Sequence, residues 1–226
     1  MEIKCLPSHE EMLDFATTDR VFWKKVTQLS TLTLQHRVEV AFKIESSIDE
    51  SGFYISRLKT GDTQSVQPGK STSPYDVKRT VHVLGIHSHI EQERKPRTAI
   101  LSIDDLFSYI SKIAHNVDKI HQATGITPQK LYDESIGNVR HHEGIVRATK
   151  ETIGVLLYQP PMAIIRPGAM GYNLAVPNNH YVNMIKKMGP ERLNNQRIVV
   201  EQLRECGYQA SFLQFERKKG SIAERI

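Results

Sequence analysis

Cysteine is nearly missing from this 226-residue chain: only Cys5 and Cys206 occur, and they lie far apart. Two such residues make no disulfide framework, so the expectation is a reducing, cytoplasmic setting. Neither cysteine sits in a zinc-ligand spacing, so any metal here rests on histidine and carboxylate. Long apolar runs are also lacking: nothing approaches the roughly 18 to 20 residues that span a bilayer. The first residues, Met-Glu-Ile-Lys-Cys-Leu-Pro, do not follow the basic-then-apolar plan of a signal peptide. A phosphate-cradling glycine loop and a Gly-x-Ser-x-Gly elbow are both missing, which argues against nucleotide hydrolysis and serine-hydrolase chemistry.

What is present reads as a folded domain. With 39% hydrophobic and 24% charged residues, the chain can bury a core and is not of disordered composition. The formal charge of +5 is unevenly placed: residues 183–226 hold nine Lys or Arg against five Glu. An acidic or nucleic-acid partner could use that surplus, but a solvated basic face is the preferred reading, and no nucleic-acid motif accompanies the charge.

Apolar spacing predicts a helix from Ser8 to about Gln35, through Met12, Phe15, Phe22, Val26, Leu29 and Leu32. Alternation of Val38, Val40, Phe42 and Ile44 with Glu39, Ala41, Lys43 and Glu45 predicts a half-buried strand. A hairpin partner follows at Phe53–Leu58, then an exposed, mobile loop from Thr60 to Pro74. Thr80–His89 reads as a strand with Val81, Val83, Gly85, His87 and His89 on one face and His82 on the other. Ser102 opens a helix whose stripe is Leu106, Ile110, Ile113, Val117 and Ile120, closed by Gly125. Thr127-Pro128 starts another, expected to run to about Lys150. Short strands at Thr152–Tyr158, Ala163–Arg166 and Tyr172–Val176 precede two C-terminal helices, the second from Pro190 to Gly207. Tyr208–Phe215 is expected as the final strand. The order is mixed α and β with hairpins, which predicts an α+β fold with a mixed sheet flanked by helices.

The chemistry concentrates in Gly85-Ile86-His87-Ser88-His89 and Ser102-Ile103-Asp104-Asp105. Histidines two apart on a strand project from one face. A carboxylate from the first turn of the next helix would complete a two-His, one-Asp set, the three-ligand pattern of a catalytic zinc site. Each piece also has a structural explanation: Ser102-x-x-Asp105 is a capping box, and acids in a first turn suit the helix dipole without a metal.

The succession of His-x-His and Ser-x-x-Asp resembles the signature of the JAMM (MPN/Mov34) metalloproteases, over roughly residues 20–176. The resemblance implies an MPN/JAB-like, cytidine-deaminase-like architecture at residues 1–176, with 177–226 as a helical extension ending in a strand. It implies Zn²⁺ held by His87, His89 and Asp105, Ser102 as a donor to the developing oxyanion, and Glu39 as the general base. Glu45, at the end of the same strand, is a second candidate for that base. The twelve residues between His89 and Ser102 include the charged run Glu91–Arg97, which reads as a substrate-facing loop. The implied activity is hydrolysis of a peptide or isopeptide bond to a ubiquitin-like protein substrate, with or without a partner subunit. The alternative implied by the same family is a catalytically inactive MPN-like scaffold that binds proteins.

Other histidines carry less. His141-His142-Glu143 is expected as a solvated helix surface, since adjacent helical residues face about 100° apart. His115 and His121, six apart, do not share a helical face.

Overall fold

The first turn of structure is set by a capping box: the Ser8 hydroxyl accepts from the Glu11 N–H at 3.2 Å, while Glu11 accepts from the Ser8 N–H at 2.7 Å. The computed structural model describes residues 7–49, 52–62, 66, 74, 76–90, 103–128, 130–131, 141–159, 164–168, 171–175 and 195–226. Helix α1, His9–Thr18, is followed at once by α2, Arg20–His36. The sequence reading of one continuous helix is corrected here. Asp19 adopts an extended backbone, and its carboxylate caps α2 by accepting from the Phe22 N–H at 2.7 Å, which breaks the run.

The strands are β1 (Val40–Ser47), β2 (Tyr54–Ile55), β3 (Lys59–Thr60), β4 (Thr80–Ser88), β5 (His142–Ala148), β6 (Thr152–Gln159), β7 (Ile164–Gly168), β8 (Gly171–Ala175), β9 (Gln209–Glu216) and β10 (Ser221–Arg225). Two more helices are described, α3 (Ile103–Thr124) and α4 (Gln196–Glu205). Among these, an eight-stranded sheet runs in the order β10-β9-β6-β5-β4-β1-β2, with β3 also on β1. Only β4 and β5 pair in parallel, and α3 lies between them in the chain. That single crossover in an otherwise antiparallel sheet makes the class mixed α+β, as expected. The strands β7 and β8 form a separate ribbon.

Helices α1 and α2 cover one face of the sheet, where Thr33 bonds Ser88 at 2.6 Å and His9 stacks on His142. Helix α3 lies over β4 on the other face. Helix α4 shares that face, because Glu143, beneath α3, pairs across strands with Tyr158, which packs in the α4 cluster with Val199 and Leu203. Both faces are therefore covered, which corrects the expectation that β1 is half-buried: all eight of its residues are buried, Lys43 and Glu45 included.

Several element assignments change. The helix expected from Thr127 to Lys150 begins as read, with the Thr127 hydroxyl accepting from Lys130 at 3.2 Å, but residues 142–148 form β5. The β-branched run Ile145-Val146 has buried neighbours on both sides, and tertiary pairing overrides the helical spacing. The hairpin partner of β1 is shorter than read, two residues at β2 with β3 beyond. Helix α4 is capped by Asn195, and the expected start at Pro190 and the first C-terminal helix lie outside the described residues. The strand from Tyr208 is β9, but β10 follows it through a turn with Gly220 at φ 63°. Both strands belong to the main sheet, β9 pairing with β6 along its whole length. The loop expected at Thr60–Pro74 lies largely outside the described residues, and Thr60 itself belongs to β3.

Candidate functional site

Strand β4 ends at Ser88, and His87 and His89 bracket it, both half-buried. Period-two alternation sends Ser88 to the opposite face, where its hydroxyl accepts from the Val40 N–H at 3.0 Å and meets Thr33. That anchor fixes the strand end from behind. In front, His87 Nε2 and His89 Nε2 are 2.9 Å apart, with ring centroids at 4.9 Å.

The neighbouring strand supplies Glu39. Residues 41 and 42 of β1 oppose His87 and Ile86, and Val40 meets the Ser88 hydroxyl, so Glu39 stands just beyond the last pair of this ladder. Its backbone is held from the far side, where the Glu39 N–H donates to the Asp62 carbonyl at 2.9 Å and its carbonyl accepts from Gly61 at 2.8 Å. Alternation puts Glu39 on the face of Ala41, the cross-strand partner of His87. Glu45 stands apart from these positions. Its carboxylate is buried, with Oε1 2.9 Å from Lys43 Nζ and 3.3 Å from His82 Nε2. Six residues of strand, about 20 Å, separate it from position 39.

Asp105 lies in the first turn of α3, and its side chain is outside the described residues, as is the whole of Ser102. Among the described residues, no three His, Cys, Asp or Glu side chains converge as a metal-ligand set. The donor chemistry of the described part is compatible with zinc: two imidazole Nε2 atoms lie close together at a strand end, within hydrogen-bond reach of each other, and imidazole nitrogen is a common zinc donor. A tetrahedral ion bonded at roughly 2.0–2.1 Å spaces two such nitrogens by about 3.4 Å. The observed 2.9 Å is close enough for small ring rotations to make up the difference.

Sequence reasoning missed the polar layer beneath α3. His141, His142 and Glu143 are buried on and beside β5, not solvated on a helix, which corrects that expectation. Because strand residues two apart share a face, His141 and Glu143 meet: His141 Nε2 lies 2.8 Å from Glu143 Oε1, and Lys112 of α3 donates to the same oxygen. The remaining His141 nitrogen, Nδ1, lies 3.1 Å from the His82 carbonyl. Both ring nitrogens thus face oxygens. Burial alone would raise the Glu143 carboxyl, but the Lys112 ammonium and then His141 outweigh it and hold the group down at about 2.

His82 also joins this layer, contrary to simple alternation. The β1–β4 register shifts between Ile44 and Glu45, so Ile44 opposes Leu84 while Glu45 opposes His82. This bulge turns His82 to the side of Gly85, with its ring 5.6 Å from that of His115 on α3. Burial lowers His82 to about 4, against the opposing pull of its hydrogen bond to Glu45. A pattern of Lys43, Glu45, His82, His141 and Glu143 at strand positions, with Lys112 on the intervening helix, was the available signal. It went unread because the helix assigned to 128–150 hid the second strand.

The charged run Glu91–Arg97 lies outside the described residues. The described residues contain no helix long and apolar enough to cross a membrane. Comparison of this chain with protein-family models, curated proteins and solved structures gives no significant match.

Proposed function

We propose that this chain is a zinc-dependent hydrolase of peptide or isopeptide bonds, of the kind its motif resembles in the JAMM metalloproteases. The observation that carries the reading is the 2.9 Å approach of His87 Nε2 and His89 Nε2 on a strand end flanked by Glu39. In this reading His87, His89 and, from the first turn of α3, Asp105 are the zinc ligands. The parallel β4–α3–β5 unit beside antiparallel β1 supports the finer MPN/JAB-like assignment of the fold.

When bound, zinc supplies Lewis acidity, bringing a coordinated water's pKa to near 7 and polarising the scissile carbonyl. The remaining work falls to the chain's own residues. The Glu39 carboxylate takes the water proton and returns it to the leaving amine nitrogen, acting first as base and then as acid. The Ser102 hydroxyl donates to the oxygen on which negative charge develops. The substrate class is a protein joined to a ubiquitin-like modifier, and the proposed setting is the cytoplasm.

The test is zinc content together with cleavage. The purified full chain should hold one zinc per chain, and His87→Ala or Asp105→Ala should lose it. Cleavage of an isopeptide-linked ubiquitin-like conjugate should stop with a chelator and return with zinc. Absence of zinc uptake by the unmodified chain would overturn the reading. Zinc uptake without cleavage of any such conjugate would leave the inactive-scaffold alternative in its place.

A further inference from the structure

Helix α3 touches β4 through two polar anchors, and their spacing carries an inference about the site. The first is Asn116, which is fully buried: its Oδ1 accepts from the His82 N–H at 2.9 Å and its Nδ2 donates to the His82 carbonyl at 2.6 Å. The second is the Lys112–Glu143 ion pair, completed by His141. This pair rests directly on the backbone of Gly85. A Cβ at that residue would lie 2.6 Å from Glu143 Oε2 and 3.0 Å from Lys112 Nζ. A side chain there would displace the ends of Glu143 and Lys112 from the strand.

The anchors fix direction and height. Going from Asn116 to Lys112 runs back along α3, while going from His82 to Gly85 runs forward along β4, so helix and strand are antiparallel. Position 105 lies eleven residues before Asn116, about 16 Å along a helix rising 1.5 Å per residue. His87 lies five residues after His82 but only four register steps, because the bulge takes up one residue, so it stands about 13 Å along at a strand rise near 3.3 Å, and position 89 about 20 Å. Positions 105, 112 and 116 also share one helical face, because steps of seven and eleven residues return to within about 20° at 100° per residue.

We propose that Asn116, Lys112 and Glu143 are positioning residues that set the height of α3 so that its first turn, with position 105, stands between the levels of His87 and His89. This deepens the zinc-site reading and rests on it. Buried ion pairs contribute little net stability compared with apolar packing, so the layer is better explained by the alignment it enforces. Groups that orient metal ligands from behind alter metal affinity without touching the ion.

The test is Zn²⁺ affinity of the full chain, measured by competition with a chromophoric chelator, alongside circular dichroism. Lys112→Met and Glu143→Gln should each weaken zinc binding about 10- to 100-fold while the helical signal persists. Lys112→Arg, which keeps the donor, should recover affinity to within about threefold. Gly85→Ala should weaken binding by displacing the same pair, and serves where either charge variant fails to fold. Ile113→Ala, a core variant on the same helix, should lower thermal stability without changing zinc affinity. If Lys112→Met, Glu143→Gln and Gly85→Ala all bind as the unmodified chain does, while His87→Ala does not bind, the positioning role is overturned and the zinc reading stands. If the unmodified chain takes up no zinc, both fall.

Discussion

Asn116 occupies the place of a neighbouring strand for His82: a single side-chain amide satisfies both backbone groups of that residue, at 2.9 and 2.6 Å. Strand β5 pairs with β4 only from Leu84 onward, so without this amide the His82 N–H would be left without its partner beneath α3. Replacing Asn116 with Ala should therefore destabilise the fold by about 1–3 kcal/mol, the usual range for stranding a buried polar group. Denaturant unfolding measures it, and a loss below about 0.5 kcal/mol would mean that water or a shifted side chain replaces the amide.

Acid should weaken the fold through His82. The ring is surrounded by Glu45 and Lys43 from β1, by His115 from α3, and by His141. Its folded value is about 4 against 6.5 for the ordinary side chain, with burial as the main cause. Between those values the unfolded chain binds a proton that the folded chain does not, so stability falls as pH drops from 6.5 towards 4. The slope from one such group is at most about 1.4 kcal/mol per pH unit. His9 and His115 are lowered too, chiefly by burial, and act in the same direction. His82→Gln should flatten the fall in denaturant midpoint between pH 6.5 and 4.5. An unchanged slope would remove His82 as its source.

The two carboxylates weighed as general base separate cleanly by substitution. Glu39→Gln should reduce conjugate cleavage by about 10²- to 10⁴-fold while zinc content holds, as expected when a proton-transfer group is lost. Glu45→Gln removes the partner of buried Lys43, so it should lower thermal stability and leave the remaining cleavage rate per folded molecule nearly unchanged. Equal losses of cleavage in both variants, at equal zinc content, would contradict the assignment of Glu39.

Local signals in the chain were strong where a short-range rule decides the outcome. The helix start at Ser8, the Thr127 cap, the stripe Ile113-Val117-Ile120 and the Gly125 stop with φ at 74° all formed as their spacing predicts. The strand with His87 and His89 was legible for the same reason, since alternation along one strand needs no knowledge of its neighbours. Asp19 was misread because a single capping residue inside an apolar pattern leaves the helical spacing nearly intact on both sides.

The sequence by itself determined that two histidines share a face at the end of a strand and that a helix follows them. It also contained Glu39 in the right alternation, though nothing local distinguished that residue from Glu45. Only the tertiary structure separates their surroundings, because Glu39 lies just before the β1 residue that opposes His87, while Glu45 is committed to Lys43 and His82. Likewise only the sheet brought Glu143, Lys112 and His141 together from β5, α3 and the residue before β5. A side chain's neighbours within one element follow from its period, but those across elements follow from strand pairing and from a bulge that no single segment encodes.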